Sequence, residues 1–255
     1  MRLLLPVIML LLGVAACRAG GPITAGETSH GPSLAPAATP TAIDAAGMPV
    51  VRPACAASDA GRYLHASGSS GITPVLLLGN GPRGVVVGAQ ANGGICQVLP
   101  FARTLVGEGY HVAVFDWIRP YGEAMTTATR ALLGDGATST VLGGFSRGAL
   151  VGLGIAESVG PAVVGVFSVS GGPSSSEGFP SIASLVTFHG SILLVASEND
   201  PVFPPGTSPA IAAAHAGQDT VVIVPGSAHA LELLDGADGA RVRAAIDDFL
   251  HQVLT

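Results

Sequence analysis

Short apolar runs alternate with longer helix-like stretches along most of this chain, and this alternation constrains its fold more than any other feature. The runs are mostly rich in β-branched residues, which is typical of strands buried on both faces. They are residues 75–78, 85–87, 111–115, 140–142, 162–169, 191–195 and 220–224. The helix-like stretches are residues 99–108, 123–133, 147–158 and 237–253. The pattern predicts an α/β fold, a mostly parallel sheet with helices on both faces.

The composition excludes several classes of protein. Of the 255 residues, 48% are hydrophobic and 11% are charged, so the chain has the apolar content for a core and is not a disordered tail. The net charge is -6, and all 11 basic residues are arginine. A chain with this balance lacks the basic surface that binds phosphate backbones, so we expect no nucleic-acid partner.

The amino-terminal segment predicts export. Met1 and Arg2 precede an apolar run over residues 3–14, which is typical of a signal peptide and too short to span a bilayer. Small residues then lead to Cys17, and this arrangement resembles the lipobox of bacterial lipoproteins, whose cysteine is acylated. The resemblance implies a signal peptide over residues 1–16 and a lipid anchor on the extracytoplasmic side of the cell membrane. Ordinary secretion is the alternative interpretation.

Residues 17–53 are rich in Gly, Pro, Ala, Ser and Thr and lack periodicity, which predicts a flexible tether before a domain over residues 54–255. Within that domain, Cys55 and Cys96 are the two remaining cysteines. Thiols outside the cytoplasm tend to pair, so these two residues form either a disulfide or two free thiols. Neither has the spacing of a metal ligand, and we expect no metal site.

The strongest chemical motif is Gly144-x-Ser146-x-Gly148, which lies between a predicted strand and a predicted helix. In that context the serine occupies a sharp turn that exposes its hydroxyl, and the glycines let strand and helix approach closely. A serine nucleophile also requires a histidine to take its proton and a carboxylate to orient the histidine. An ordinary helix N-cap is the structural alternative for Ser146.

The two required partners follow in order along the chain. Asp200 comes after the predicted strand 191–195, and His229 comes after the strand 220–224. Both loops belong to the carboxyl edge of the sheet, where open α/β sheets place their sites. Glu198 is the alternative candidate for the triad acid. His189 is the alternative candidate for the base, and we interpret it as structural.

These residues resemble the pattern of the α/β-hydrolases, of the small kind grouped with dienelactone-hydrolase-like esterases, over residues 62–253. The resemblance implies that Ser146 is the nucleophile, Asp200 the triad acid and His229 the base. It also implies that the backbone N–H groups of Gln90 and Arg147 form the oxyanion hole. The chain departs from the family where Gly88-Ala89 replaces a frequent His-Gly pair and where Arg147 follows the nucleophile.

Two further side chains have open roles. Asp116 either lines the pocket or fixes the loop that follows its strand by accepting N–H groups. Arg147 either projects over the pocket, where it would favour an anionic substrate, or is solvated or ion-paired. Residues 171–190 are too few for a large helical lid, which argues for an open site.

The sequence therefore predicts a hydrolase of carboxylic esters that needs no cofactor and acts on a small-molecule ester or related acyl compound. Thioester, amide or lactone cleavage and acyl transfer to an alcohol share the same intermediate. One rival is therefore an acyltransferase. The other is a surface lipoprotein that keeps the fold as a non-catalytic binding module.

Overall fold

The computed structural model describes residues 51–173, 182–204 and 206–255. The predicted signal peptide, Cys17 and the predicted tether up to residue 50 lie outside the described residues. Within them, eight strands form one sheet. The strands are β1 (Arg62–Gly68), β2 (Gly71–Leu78), β3 (Arg83–Gly88), β4 (His111–Phe115), β5 (Ser139–Phe145), β6 (Val163–Val169), β7 (Ser191–Ser197) and β8 (Asp219–Val224).

The strand order across the sheet is β1-β2-β4-β3-β5-β6-β7-β8. β1 pairs with β2 and β2 with β4 in antiparallel fashion, whereas the pairs from β4 and β3 through to β7 and β8 are parallel. The carboxyl ends of the six parallel strands therefore meet at one edge. Loops that leave this edge bring together residues that are distant in sequence.

From β3 onward, α-helices lie between most of the successive strands. They are α1 (Ile95–Gly107), α2 (Tyr121–Gly134), α3 (Arg147–Val159), α4 (Thr207–Ala214), α5 (Glu232–Asp235) and α6 (Gly239–Val253). Two short 3-10 helices, Ala54–Ala56 and Ile182–Val186, accompany them. No helix among the described residues is both long and apolar enough to cross a membrane.

The sheet separates two hydrophobic clusters. Side chains of α1 and α6 pack with one face, and side chains of α2, α3 and α4 pack with the other. Val85 and Val87 of β3 point into the first cluster while Val86 points into the second, and all three are fully buried. Burying such a side chain contributes about 1.5–3 kcal/mol, so apolar residues occupy most positions of the central strands. The predicted α/β class is confirmed.

Several predicted boundaries were wrong, and β1 and α4 were not predicted at all. β1 is only half-buried along its length and pairs with β2 over all of its residues, and its sequence has no continuous apolar run. α4 buries only Ser208 and Ile211 and has no apolar stripe. The first predicted helix begins at residue 99, whereas α1 begins at Ile95 and contains Pro100. The predicted last helix, residues 237–253, corresponds to α6, which begins at Gly239, and the short helix α5 before it was not predicted.

A disulfide joins Cys55 in the first 3-10 helix to Cys96 in α1, with the two Cα atoms 5.7 Å apart. Arg103 of α1 reinforces this link, because it forms an ion pair with Asp59 and donates to the carbonyl of Cys55. The chain before β1 is therefore fixed against α1 by a covalent bond and by a charged pair.

Candidate active site

Ser146 occupies the sharp turn between β5 and α3. Its φ is 50° and its ψ is -103°, a conformation that non-glycine residues rarely adopt. Such backbone strain costs on the order of 1–3 kcal/mol and persists only where the surroundings impose it. Here the N–H of Ser146 donates to the carbonyl of Val169, at 2.9 Å. The turn places the serine side chain at the carboxyl edge of the sheet, as the motif predicts.

Three glycines permit this turn by letting the backbone of β3 meet that of α3. A Cβ atom on Gly148 would lie 2.1 Å from the carbonyl oxygen of Gly88, and one on Gly144 would lie 2.4 Å from the same oxygen. A Cβ on Gly88 would in turn lie 2.8 Å from the Cα of Gly148. The contact is backbone against backbone, so no side-chain movement would relieve a substitution.

Asp200 follows β7 and is the acid that the structure brings to the histidine. Its Oδ1 accepts the N–H groups of Val202, at 2.8 Å, and Phe203, at 3.1 Å. Burial raises the pKa of Asp200, but hydrogen bonds lower it by more, so the pKa lies below its ordinary value of 3.8. The donors are His229, the Phe203 and Val202 backbone and the Ser170 side chain. The competitor Glu198 is exposed and uses its backbone to bond to β8.

His229 follows β8, and its Nδ1 lies 3.0 Å from Asp200 Oδ1 and 2.9 Å from Oδ2. An ionised Asp200 can only accept a hydrogen bond, so Nδ1 carries the ring proton, and in the neutral imidazole this leaves Nε2 as a proton acceptor. The His229 side chain is 18% exposed, whereas that of Asp200 is 1% exposed. The histidine is therefore partly accessible to a reacting group, whereas the carboxylate is buried.

The loop that carries His229 is held by three successive hydrogen bonds from its backbone. The N–H of His229 donates to Glu232 Oε2, at 3.3 Å. The N–H of Ala230 donates to Ser170 Oγ, at 2.9 Å, and that of Leu231 donates to Gln90 Oε1, at 3.1 Å. Side chains from three separate parts of the chain therefore fix the position of the histidine.

Sequence reasoning missed Ser170 and the side-chain role of Gln90. The available signal for Ser170 was its position directly after β6, at the edge that carries the other site residues. The amide of Gln90 gave no such signal, because its acceptor role depends on the approach of Leu231, 141 residues away.

The predicted oxyanion residues lie on two adjoining segments. Gln90 belongs to the loop after β3, and Arg147 is the first residue of α3. The N–H of Gly148 donates to the carbonyl of Ala89, at 3.2 Å, and so holds the two segments together. Among the hydrogen bonds of the described residues, none joins Ser146 to His229. Bonds of this kind are often loose without substrate and tighten in the reacting complex.

A cleft of about 350 Å³ adjoins the nucleophile turn. It is lined by residues of the loops after β3 and β4 and by the first residues of α2 and α3, namely Asn92, Gly93, Gly94, Asp116, Trp117, Ile118, Arg119, Tyr121 and Arg147. The Arg147 guanidinium lies 4.3 Å from the ring centre of Tyr121, and its Nη1 donates to Asn92 Oδ1, at 3.0 Å. Asp116 accepts the N–H of Ile95, at 2.9 Å, so it both lines the cleft and fixes the start of α1.

Two other histidines also form pairs, but away from this edge. His111 contacts Asp135, and His215 contacts Asp219 at the start of β8. His189 precedes β7 and lines a separate cleft at the opposite edge of the sheet. No group of three or more His, Cys, Asp or Glu side chains with the arrangement of a metal site occurs in the described part of the chain.

Comparison with known proteins gives one family match. Residues 129–233 match the sequence profile of the phospholipase/carboxylesterase family, a range that includes Ser146, Asp200 and His229. The search of curated proteins finds no significant match.

Solved structures give a more extensive likeness. An esterase of Pyrococcus furiosus is 13% identical with a TM-score of 0.65, over 78% of this chain and 92% of the esterase. A dienelactone hydrolase from Anabaena variabilis is 15% identical with a TM-score of 0.63, over 76% and 98% of the two chains. A dienelactone-hydrolase-like promiscuous phosphotriesterase from metagenomic libraries is 16% identical with a TM-score of 0.63, over 76% and 98%.

Together, the family match and the esterases among these structures support an ester hydrolase. At identities this low, the structural likeness itself establishes architecture rather than activity. The sheet order, the helices on both faces and these neighbours agree on one conclusion: this chain has the α/β-hydrolase fold.

Proposed function

We propose that this protein is a serine hydrolase that cleaves carboxylic esters through an acyl-enzyme on Ser146. The observation that carries the proposal is the His229–Asp200 pair, with Nδ1 2.9 Å from Asp200 Oδ2, at the same sheet edge as the strained Ser146 turn. A histidine with a buried carboxylate behind it and one accessible nitrogen is what a serine nucleophile requires.

In the first half of the reaction, Ser146 Oγ attacks the ester carbonyl carbon while its proton passes to His229 Nε2. The carbonyl π electrons move to oxygen and form a tetrahedral oxyanion. When the carbonyl re-forms, the bond to the leaving alkoxide breaks and His229 returns the proton to it, so the products are a free alcohol and an acyl-serine.

In the second half, a water molecule takes the place of the alcohol. His229 accepts one proton of that water as its oxygen attacks the acyl carbon, and a second oxyanion forms. Its collapse breaks the bond to Ser146 Oγ, which recovers its proton from His229, and the carboxylic acid leaves. Asp200 remains ionised throughout and stabilises the transient imidazolium.

The oxyanion would be bound by the backbone N–H groups of Gln90 and Arg147. The Gly148-to-Ala89 hydrogen bond supports this assignment, because it keeps the loop after β3 beside the start of α3. Donors that are fixed before the reaction need no reorganisation as charge develops, and losing one typically lowers the rate by about 10²- to 10³-fold.

The activity test uses the chain without residues 1–16 and with Cys17→Ser, assayed on p-nitrophenyl acetate, butyrate and octanoate. We expect hydrolysis that Ser146→Ala abolishes and that Ser158→Ala, at the other end of α3, leaves intact. Lactone and phosphotriester substrates belong in the same panel, because the neighbours described above include enzymes with those names. A folded protein that hydrolyses none of these compounds would favour a binding module.

We also propose that the protein is a lipoprotein, anchored through Cys17 on the extracytoplasmic side of a bacterial membrane. The support is the sequence of residues 1–17, together with the Cys55–Cys96 disulfide, because disulfides persist mainly in oxidising compartments. The test is fractionation of cells that express the full chain. We expect the protein in the membrane fraction and the Cys17→Ser variant outside it. Equal distribution of the two would point to ordinary secretion.

A further inference from the structure

Ser170 follows β6 directly and is fully buried. Its φ is 51°, so it is one of the few non-glycine residues of the described chain with left-handed backbone. Its N–H donates to the carbonyl of Val195 in β7, at 2.8 Å. A serine in this conformation is strained, and glycine would adopt the conformation more easily. Such a conformation persists only where the surrounding structure imposes it.

The hydroxyl contacts the loop that carries the base, while the Ser170 backbone is bonded to β7, the strand before the acid. Its Oγ accepts the N–H of Ala230, the residue after His229, at 2.9 Å. A hydroxyl that accepts through a lone pair still has one proton to donate. The Ser170 side chain is also one of the groups that lower the pKa of Asp200, which fits a hydroxyl whose remaining proton is directed at that carboxyl.

We propose that Ser170 is a positioning residue that holds Asp200 and His229 in register through its one hydroxyl group. This inference rests on the proposed function, since it assigns the alignment of the His–Asp pair to a residue outside that pair. The Asp200 carboxyl already accepts hydrogen bonds from the Val202 and Phe203 N–H groups and from His229, and Ser170 supplies a further donor to it. His229 is fixed through the backbone of the residue that follows it.

Ser168, in the strand that precedes Ser170, offers a matched control. It is also buried, lies two residues earlier in β6, and its Oγ has no hydrogen-bond partner among the described residues. A Ser168→Ala variant therefore removes a buried hydroxyl that holds neither loop. If any loss of a buried hydroxyl near the end of β6 lowered activity, the Ser168 and Ser170 variants would both be affected. If Ser170 is a positioning residue, only the Ser170 variants are affected.

The experiment compares Ser170→Ala, Ser170→Gly and Ser168→Ala in the chain that carries Cys17→Ser. Ser170→Gly accommodates the positive φ, so it separates loss of the hydroxyl from backbone strain. We expect kcat for ester hydrolysis to fall about 10- to 100-fold in both Ser170 variants, because a bond to a charged group is lost and a buried N–H is orphaned. KM should change by less than about twofold, and Ser168→Ala should match the parent chain.

A spectroscopic readout keeps the test independent of the activity. The low-field proton NMR resonance of His229 Nδ1–H, assigned by its absence in His229→Gln, reports the bond to Asp200. We expect it to shift or broaden in both Ser170 variants and to remain in Ser168→Ala. An active parent chain, with unchanged kcat and an unchanged resonance in the Ser170 variants, would overturn the positioning role alone. An inactive parent chain would count against the proposed function, and the resonance would still decide the role of Ser170.

Discussion

At the residue scale, Asp200 shows how a buried carboxylate stays ionised. Its side chain is 1% exposed, and burial alone would favour the neutral form. Hydrogen bonds from His229, from two backbone N–H groups and from Ser170 outweigh burial and leave the pKa below its usual value. Because the ionised form accepts the His229 Nδ1–H, the same contacts that hold the acid also select the tautomer of the base.

The lowered pKa of Asp200 predicts a specific dependence of stability on pH. Ionised Asp200 stabilises the folded state above its unfolded pKa, and this contribution is lost as pH falls through the lower folded-state pKa. The difference in unfolding free energy between the parent chain and Asp200→Asn should therefore be constant above about pH 5 and shrink on acidification. Urea unfolding from pH 3 to pH 7 measures it, and a difference that grows on acidification would contradict the assignment.

Arg147 carries a prediction about substrate charge. Its guanidinium lines the cleft beside Ser146 and is held by Asn92 and the ring of Tyr121. Arg147→Ala should lower kcat/KM for an ester with a terminal carboxylate by about 10- to 100-fold more than for a neutral ester, because a hydrogen bond to a charged group contributes about 1.5–3 kcal/mol. Arg130→Ala, on the exposed side of α2, is the control. If the ratio of kcat/KM for the charged ester to kcat/KM for the neutral ester is unchanged, the Arg147 side chain has a structural role in the turn and does not select the substrate.

The residues of the candidate site differ in how visible they are in the sequence. Ser146, Asp200 and His229 could be predicted because each follows an apolar strand and because serine chemistry requires that set. The side-chain roles of Ser170 and Gln90 could not, since both depend on where the His229 loop lies after folding. Ser168 and Ser170 share one strand end, and only the fold distinguishes the serine with a partner from the other.

At the element scale, the contact between β3, β5 and α3 depends on glycine. A Cβ at residue 148 would lie 2.1 Å from the Gly88 carbonyl oxygen, with backbone on both sides. Gly148→Ala should therefore lower the free energy of unfolding by about 1–3 kcal/mol and reduce activity, as overpacked sites do. Gly134→Ala, at the end of α2 with open space around it, should change stability by less than about 1 kcal/mol. Equal effects in urea unfolding would contradict this account.

At the element scale, we expect the disulfide to stabilise the fold and to take no part in ester hydrolysis. Its cysteines are 41 residues apart, so the closed loop corresponds to about 4 kcal/mol in the chain-entropy description. We expect the double variant Cys55→Ser/Cys96→Ser to lose about 2–4 kcal/mol of unfolding free energy and to keep its kcat. Thermal unfolding measures the loss of stability, and ester hydrolysis by the same samples measures kcat. A loss of kcat without a loss of stability would contradict both expectations.

The elements that escaped prediction share a physical cause. β1 is stabilised by main-chain pairing at the edge of the sheet, and α4 by contacts to β7 and β8 rather than by an apolar stripe of its own. Periodicity reports burial, so it finds the central strands and the amphipathic α6 but not elements at the margin. Boundaries such as the start of α1 before Pro100 depend on packing that a propensity argument does not contain.

At the scale of the whole molecule, the sheet order explains why one edge carries the chemistry. Ser146, Ser170, Asp200 and His229 follow β5, β6, β7 and β8, which are consecutive neighbours in the sheet. The nucleophile, the acid and the base therefore converge although 83 residues of chain separate the first from the last. The loop after β3, the neighbour of β5 on its other side, contributes Gln90.

A fluorophosphonate probe shows whether Ser146 is an activated nucleophile, because such probes react with activated serines. The chain with Cys17→Ser is treated with the probe, its intact mass is measured, and the adduct is mapped by peptide sequencing. We predict one adduct, on Ser146, that is abolished in His229→Ala and retained in Ser168→Ala. A folded protein that takes no label, or one labelled equally in His229→Ala, would contradict the account.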